Sequence, residues 1–303
     1  MTRKIAIVGV GKIARDQHVP SIAASDDWTL AATVSRSGTV DNIEAFTDIH
    51  QMLAARPDIP VVSLCMPPAP RFASAEACLL AGRHVMLEKP PGMTISEVQI
   101  LAALAADRGL TLFATWHSRM APGVDAAKAW LADKAILSVR ITWHEDVRRW
   151  HPNQDWVFEP GGMGVFDPGI NALSILTEIL PFAVRAMSAR LEVPSNRQAP
   201  IAARVVFSHD VVLDLDWQQT GAQVWNIEIE TDAGKALLSR GGACFEVDGV
   251  EVANGEEREY PRLYDRMSRL LSADKSEVDL RPMIHVADAM TLGERVGVEA
   301  FHF

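Results

Sequence analysis

Short apolar runs alternate with segments of helical periodicity over the first third of the chain. Five runs are apolar nearly throughout and predict strands: Lys4–Gly9, Thr29–Ser35, Val61–Met66, His84–Glu88 and Leu110–Thr115. Three stretches between them predict helices: Lys12–Ala24, Phe72–Ala81 and Ser96–Arg108. Strands without a polar face that alternate with helices are typical of a parallel sheet covered on both faces. The pattern therefore predicts an α/β domain, built as a doubly wound parallel sheet, over residues 1–118.

The remainder of the chain shows a different periodicity. Polar and apolar positions alternate with a period of two in four predicted strands: Leu137–Trp143, Ala203–Ser208, Val211–Trp217 and Trp225–Thr231. Helical periodicity marks three further stretches: Val124–Ala132, Tyr260–Ser272 and Met283–Gly297. We expect an α+β domain over residues 119–303, with an open, largely antiparallel sheet and a C-terminal helix able to pack back on the first domain. The polar stretch Asp146–Gly164 is too long for a simple connection and predicts a functional loop.

Composition narrows the classes of partner. The chain of 303 residues can form two domains, and its formal net charge of −10 disfavours a nucleic-acid partner, which needs a basic footprint. No apolar run reaches the roughly 18 residues of a membrane span. Because Gly9 and Gly11 interrupt the first apolar run, it predicts a strand rather than a signal peptide. Cys65, Cys78 and Cys244 are far apart, which favours reduced thiols in a cytoplasmic protein.

A glycine-rich turn follows the first predicted strand. The run Gly9–Ala14, with the sequence GVGKIA, joins that strand directly to a predicted helix. Gly9 permits a tight turn, Gly11 lets a pyrophosphate approach the backbone, and Ala14 allows the helix to pack closely on the strand. The alternative is a plain tight turn, but the strand–turn–helix context favours a dinucleotide site. The predicted cofactor contacts in this turn are Gly9, Gly11, Lys12 and Ile13.

The second predicted strand ends without an acidic residue. An NAD site typically has Asp or Glu about 20 residues after the glycines, where it accepts from the ribose 2′-hydroxyl. This chain has Ser35, Arg36 and Ser37 at that place. A guanidinium flanked by hydroxyls suits a 2′-phosphate, while the alternative is a solvated arginine. We therefore predict NADP as the cofactor, with NAD also usable.

A lysine follows the fourth predicted strand. The tripeptide Glu88–Pro90, with the sequence EKP, stands where the strand His84–Glu88 ends. Ligands of a doubly wound sheet bind at the carboxyl ends of its strands, so we expect Lys89 to face the crevice. The alternative is a charged pair at a strand end that proline stops.

Together these motifs resemble the oxidoreductase family of glucose–fructose oxidoreductase and inositol dehydrogenase. The shared signs are the glycine turn, the segment Met66–Pro68 after a strand, and the tripeptide Glu88–Pro90. The resemblance implies a Rossmann domain and a catalytic role for Lys89. It also implies further cofactor contacts from Met66, Pro67, Glu88 and Lys89.

The resemblance extends into the second domain, with one departure. The family carries a D-x-G-x-H motif, and this chain has Asp167-Pro168-Gly169-Ile170-Asn171, so Asn171 stands where most members have histidine. Asparagine takes up no proton at neutral pH. Proton removal then falls to Asp167 or Lys89, and Asn171 orients the substrate hydroxyl. From the sequence pattern, Asp167 is also a good helix N-cap, with Pro168 at the first helical position.

Asparagine at this position, with the segments Gly11–Pro20 and Pro67–Phe72, resembles a particular branch of the family. Members of that branch oxidise pyranose sugars such as L-arabinose or D-galactose at C1. The resemblance implies oxidation of an aldose to its lactone, with hydride transfer to NADP or NAD. The alternatives are an oxidoreductase of the same family that acts on an inositol or a carbonyl compound, and a non-catalytic regulator that binds the cofactor. The resemblance also implies a homodimer formed through the open sheet.

Residues suited to bind a sugar are concentrated near the predicted functional loop. Sugars pack their apolar faces on aromatic rings, and their hydroxyls need fixed polar partners. The candidates are Trp150, Trp156 and Trp225 for stacking, and His117, Glu145 and Asp146 with Asp167 and Asn171 for hydrogen bonding. For the tryptophans the alternative is a core position, and for His117, Glu145 and Asp146 it is a strand end. The spacing of His and Cys residues predicts no metal site.

Overall fold

The computed structural model describes residues 2–256 and 258–303, which form two compact units. The first unit contains the chain up to residue 117 together with residues 259–279, and the second contains residues 118–258 and 280–303. The sequence pattern assigned all of residues 119–303 to one second domain. In the structure, the segment 259–279 instead groups with the first unit.

A six-stranded parallel sheet forms the centre of the first unit. Its strands are β1 (Arg3–Val8), β2 (Trp28–Val34), β3 (Glu44–Phe46), β4 (Val61–Leu64), β5 (His84–Leu87) and β6 (Leu112–Ala114), in the order β3-β2-β1-β4-β5-β6. Every residue of β4 is buried, as expected for a strand covered on both faces. The predicted doubly wound parallel sheet is confirmed. The strand order reverses between β1 and β4, and ligands of such sheets bind beside this switch point.

Helices cover this sheet. They are α1 (Val19–Ala23), which follows a π-helical turn over Ala14–His18, α2 (Ile49–Ala55), α3 (Arg71–Leu80) and α4 (Ile95–Asp107). The start of α4 is defined by a capping box, in which Thr94 accepts from the Glu97 backbone and Glu97 accepts from the Thr94 backbone. The predicted single helix Lys12–Ala24 therefore contains a π turn directly after the glycine turn.

The helix α8 (Glu259–Ser272) completes the first unit although it comes late in the chain. Tyr260, Leu263 and Tyr264 are on its buried face. The indole N–H of Trp28 donates to the Tyr264 carbonyl at 3.3 Å. After the helix, the backbone of Glu277 pairs with the edge strand β6. These contacts attach the segment to the parallel sheet.

A nine-stranded sheet forms the centre of the second unit. Its strands are β7 (Ile136–His144), β8 (Ala186–Pro194), β9 (Ala202–Phe207), β10 (Val211–Asp216), β11 (Val224–Thr231), β12 (Gly234–Ser239), β13 (Cys244–Val247), β14 (Val250–Asn254) and β15 (Gly293–Val298). The order is β14-β13-β12-β11-β7-β10-β9-β8-β15, with the pairs β7–β10 and β8–β15 parallel and the others antiparallel. The predicted largely antiparallel sheet is confirmed.

The two faces of this sheet differ in polarity. Val139, Ile141 and Trp143 are buried on one face, whereas Arg140, which is exposed, pairs across the strands with Glu228 on the other. The helices of the unit are α5 (Pro122–Leu131), α6 (Val147–Trp150), α7 (Phe166–Ile179) and α9 (Arg281–Leu292). Nearly all residues of α7 are buried.

Two sequence expectations need correction here. The helix predicted over Met283–Gly297 ends at Leu292, and Gly293–Val298 pairs with β8 as a strand. A Cβ atom at Gly293 would lie 2.6 Å from the side chain of Leu191, so only glycine allows this close approach. The predicted loop Asp146–Gly164 contains α6 and a 3₁₀ turn over Asp155–Phe158.

Candidate active site

The carboxyl ends of the parallel strands bring the predicted cofactor residues to one edge of the first unit. The backbone N–H of Gly9 donates to Val34 at 2.8 Å, and that of Glu88 donates to Leu64 at 3.2 Å. These bonds align the turns that follow neighbouring strands. The residues collected at this edge are Gly9 to Ile13, Ser35 to Ser37, Met66, Pro67, Glu88 and Lys89.

The glycine turn has the geometry that a pyrophosphate site needs. Gly9 has a φ of +91°, and a Cβ atom there would lie 2.6 Å from the backbone nitrogen of Met66. A Cβ atom at Gly11 would meet nothing within 4 Å, so the backbone faces open space. Ala14 is fully buried under the sheet. The turn therefore fits the phosphates of a dinucleotide beside the start of the helix.

The end of β2 presents hydroxyls and a guanidinium. Ser35 Oγ accepts from the backbone N–H of Gly38 at 3.1 Å, which fixes the turn. Arg36 and Ser37 are exposed. An exposed guanidinium at this place can bind a 2′-phosphate.

A buried arginine holds the backbone around Lys89. The guanidinium of Arg71, which is 2% exposed, donates to the carbonyls of Met66, Glu88 and Pro90. The backbone N–H of Lys89 donates to the Glu88 carboxylate at 2.8 Å. The sequence pattern did not indicate Arg71 as a site residue. The one feature of the sequence that could have indicated it is an arginine at the start of a helix with an apolar face.

Glu88 lies in a buried polar network that the sequence pattern did not reveal. Its Oε1 is 3.0 Å from His18 Nε2 and accepts from Tyr260 Oη at 2.8 Å. Burial alone would raise the pKa of Glu88, but the hydrogen bond and charge of His18 lower it to about 2. Burial alone would lower the pKa of His18, but its contacts with Cys65, Tyr264 and Glu88 raise it. The network fixes the residue before Lys89.

His117 takes part in a neighbouring pair. Its Nδ1 lies 2.5 Å from Oε2 of Glu259, and its ring stacks on Tyr260 with the centroids 5.6 Å apart. Burial alone would lower the pKa of His117, but the charge of Glu259 raises it. The proposed role of His117 in sugar binding stays a prediction.

In the second unit, Asp167 and Asn171 occupy the first turns of α7. The helix begins at Phe166 after Val165, so the alternative interpretation of Asp167 as the N-cap is wrong. The carboxylate of Asp167 lies 3.1 Å from Nε2 of His151, which follows α6. No sequence pattern pointed to His151, because it lies in a polar segment without periodicity.

The imidazole of His151 is enclosed by three side chains. Its Nδ1 lies 3.3 Å from Oε1 of Gln154, which also accepts from the indole N–H of Trp156 at 3.0 Å. The ring meets those of Trp156 and Trp217 edge to face, with centroids 6.0 and 5.5 Å away. The orientation of the ring beside Asp167 is therefore defined.

An aromatic cluster continues from this pair. Glu145 is buried and accepts from the indoles of Trp217 at 3.2 Å and Trp225 at 3.0 Å. The rings of Trp143 and Trp150 lie 6.4 and 6.0 Å from that of Trp225. Glu145 thus supports the tryptophans, in addition to its predicted role as a sugar-hydroxyl acceptor.

Asp146 and the remaining candidates have structural contacts as well. Asp146 caps α6, because its carboxylate accepts from the backbone N–H of Arg148 at 2.9 Å. Trp156 packs on His151 and is part-buried rather than in the core. The structure thus brings Asp167, Glu145 and the tryptophans together within the second unit.

Metal centres and membrane spans are two other features that the described part of the chain could contain. In that part, no group of His, Cys, Asp and Glu side chains could hold a metal ion. Among the same residues, no helix is both long and apolar enough to span a bilayer. Cys65, Cys78 and Cys244 are free thiols.

A Rossmann sheet with a glycine turn at its switch point, joined to an α+β unit, is the architecture of a nicotinamide-dependent oxidoreductase. Residues 3–115 match the family described as "Oxidoreductase family, NAD-binding Rossmann fold". The chain belongs to this family, as the resemblance predicted. It is 40% identical to the galactose 1-dehydrogenase of Pseudomonas fluorescens, over 99% of this chain and 98% of that protein.

Solved structures agree with this assignment. The crystal structure of the D-galactose-1-dehydrogenase protein from Rhizobium etli matches with a TM-score of 0.95 and 55% identity, over 100% of this chain and 99% of that one. A 3-ketoreductase from Actinomadura kijaniata, in complex with NADP and TDP-benzene, has a TM-score of 0.82 at 16% identity, over 98% of this chain and 100% of that one. That second likeness shows the fold alone.

Proposed function

We propose that this oxidoreductase oxidises an aldose at C1 to the lactone, with D-galactose and L-arabinose as its substrate class and NADP as its preferred cofactor. The observation that carries the proposal is the carboxylate of Asp167. It lies at the start of α7, contacts His151 and precedes Asn171 by one helical turn. A held carboxylate can remove the proton of a sugar hydroxyl. The similarity to two proteins named as galactose 1-dehydrogenases supports the choice of sugar.

The chain's own residues divide the work of this reaction. Asp167 removes the C1 hydroxyl proton, and Asn171 orients that hydroxyl through its amide. Lys89 stabilises the negative charge that develops on the C1 oxygen and is the alternative proton acceptor. Trp150 and Trp225 pack on the apolar face of the sugar. When bound, the nicotinamide ring accepts the hydride that leaves C1.

The choice of NADP depends on the end of β2. Arg36 and its flanking serines provide donors for a 2′-phosphate, and no Asp or Glu occupies positions 35–37 to repel it. Arg36→Ala should lower the kcat/KM with NADP while that with NAD changes little.

The proposed activity is tested by initial rates of nicotinamide reduction. The substrates are D-galactose, L-arabinose, D-glucose and myo-inositol, each supplied with NADP or NAD. We expect the highest kcat/KM for D-galactose or L-arabinose with NADP. Activity on myo-inositol and on none of the sugars would show that the substrate is an inositol instead of an aldose. Cofactor binding without turnover of any substrate would favour a non-catalytic regulator.

We further propose that two copies associate through the exposed face of the nine-stranded sheet. On that face, side chains of adjacent strands form polar pairs, such as Arg204 with Asp214, and do not form an apolar surface.

The three free thiols suit a cytoplasmic location, where thiols stay reduced.

A further inference from the structure

Because Asn171 replaces the histidine of the motif, α7 supplies no imidazole, yet the imidazole of His151 lies beside Asp167 of that motif. His151 Nε2 is 3.1 Å from Asp167 Oδ2, within hydrogen-bonding distance. His151 comes from the segment after α6, not from α7. We infer that His151 supplies the imidazole for the proposed sugar oxidation and takes up, through Asp167, the proton of the C1 hydroxyl. The inference rests on the proposed function and deepens it.

Contacts around the ring determine which nitrogen carries the proton. The indole N–H of Trp156 can only donate, so the Gln154 atom that faces it at 3.0 Å is the accepting oxygen. His151 Nδ1 lies 3.3 Å from that same oxygen and must carry a hydrogen to bond it. In the neutral ring, the lone pair of Nε2 then faces the Asp167 carboxylate. One further proton fits between these two acceptor atoms.

This arrangement stores the proton that the reaction releases. The C1 O–H bond breaks, its proton passes to the Asp167 carboxylate, and Nε2 shares it as the ring becomes an imidazolium. The hydride leaves C1 for the nicotinamide, so the C–O single bond becomes the lactone carbonyl. The side chain of Asp167 is 10% exposed and that of His151 22%, so the imidazole returns the proton to solvent more readily.

The other charged groups of this segment and of the neighbouring sheet have contacts of their own. On its own segment, Arg148 lies over Phe301, Arg149 lies over Trp150, and Asp155 pairs with Arg197. From the sheet, Glu145 accepts from Trp217, whose ring packs on His151. Asp167 is thus the charged group that the ring contacts in the described part of the unit.

The chain offers a matched control. His144 Nε2 lies 2.8 Å from Asp214 Oδ1, and its side chain is 24% exposed, close to the value for His151. This second pair links β7 and β10 in the same unit. A general loss of stability from removing a histidine–aspartate pair would affect both sites equally.

The experiment compares His151→Ala, His151→Gln and His144→Ala by kcat, KM and chemical rescue. We expect His151→Ala to lower kcat by about 10²-fold, the lower end of what a positioned acid or base contributes, with little change in KM. Added imidazole should then restore a several-fold part of that loss. His151→Gln keeps a donor for Asp167 but takes up no proton, so its kcat should also fall. His144→Ala should keep the kcat of the unaltered enzyme.

A spectroscopic signal gives a reading without sugar turnover. A downfield imidazole N–H proton resonance should be present in the unaltered protein, kept in His144→Ala and lost in Asp167→Asn. Suppose that the unaltered enzyme oxidises a sugar but His151→Ala keeps its kcat, or that imidazole restores nothing while both alanine variants stay folded. The role of His151 is then overturned, and the proposed function still stands. If no sugar is oxidised, the proposed function fails first, and the resonance still reports on the pair.

Discussion

At the scale of single residues, the two glycines of the first turn are required for different reasons. Gly9 has a left-handed backbone, and the place of its missing Cβ is next to Met66. At Gly11, no atom lies within 4 Å of the place that a Cβ would occupy. One glycine therefore serves the fold, and the other leaves space for a ligand.

Substituting each glycine by alanine should separate these roles. Gly9→Ala should lower the free energy of unfolding by at least about 1–2 kcal/mol, because its backbone is left-handed and the added Cβ would clash with the backbone of Met66. Gly11→Ala should leave that free energy nearly unchanged and weaken NADP binding. Urea unfolding and titration of cofactor fluorescence measure the two effects. Equal stability of the two variants would contradict this division of roles.

Asp167 is the residue on which the proposed chemistry depends most. Asp167→Asn keeps the size of the side chain but removes its charge and its ability to take a proton. We expect kcat to fall by about 10²- to 10⁴-fold, with NADP affinity close to that of the unaltered protein. Steady-state rates and a cofactor titration check this. Asp214→Asn is the control, and a fall of the same size there would argue against a specific role.

At the scale of elements, Glu88 connects three parts of the first unit. Its carboxylate meets His18 in the π turn before α1, Tyr260 in α8 and the backbone at the end of β5. Breaking such a buried network leaves a polar group without its partner, which is strongly destabilising. The lysine beside it depends on this connection for its position.

The network makes stability depend on pH in a defined direction. The pKa of Glu88 is lowered from 4.5 to about 2, so its contribution is present above pH 4.5 and lost as the pH falls through 2. This shift corresponds to about 3 kcal/mol of unfolding free energy. The pKa of His18 is raised, so its contribution is present below pH 6.5 and lost as the pH rises through the raised value.

Glu88→Gln tests this dependence. The variant should be less stable than the unaltered protein at pH 6, and the difference should shrink as the pH falls from 4.5 towards 2. Guanidinium unfolding at pH 6, 4 and 3 gives the free energies. A difference that stays constant over this range would show that the charge of Glu88 contributes nothing.

At the scale of the whole molecule, the proposed pairing of two copies depends on the exposed face of the larger sheet. Arg204, Asp214 and His144 form linked polar pairs on this face. Charged pairs at an interface fix orientation and exclude mismatched partners. Association through this face would give a particle of about twice the 33.2 kDa chain.

Sedimentation velocity tests the proposed pairing. Arg204→Glu places a like charge beside Asp214 and should shift the protein towards the mass of a single chain. Lys128→Glu, a charge reversal on α5 that affects the pair with Glu178, is the control and should leave the mass unchanged. A single-chain mass for the unaltered protein would rule out the homodimer.

Local patterns along the chain were enough to predict the features that neighbouring residues encode. Strands buried on both faces read as continuous apolar runs, and alternating runs predict a one-sided sheet, so both sheets could be predicted. The glycine turn, the serines around Arg36 and the lysine after β5 are contiguous motifs at strand ends. Strand-end residues meet at one edge once the sheet is parallel, so the collection of these candidate residues at that edge could be predicted from the pattern.

Contacts between side chains that are distant in the sequence are visible only in the folded chain. His151 and Asp167 come from different elements, and no periodicity in a polar segment indicates which ring will face the carboxylate. Arg71 and the partners of Glu88 are brought together by helices packing on the sheet. The strand Gly293–Val298 depends on its pairing with β8 rather than on local propensity. Such contacts depend on the packing of elements that are remote in sequence, which local patterns do not encode.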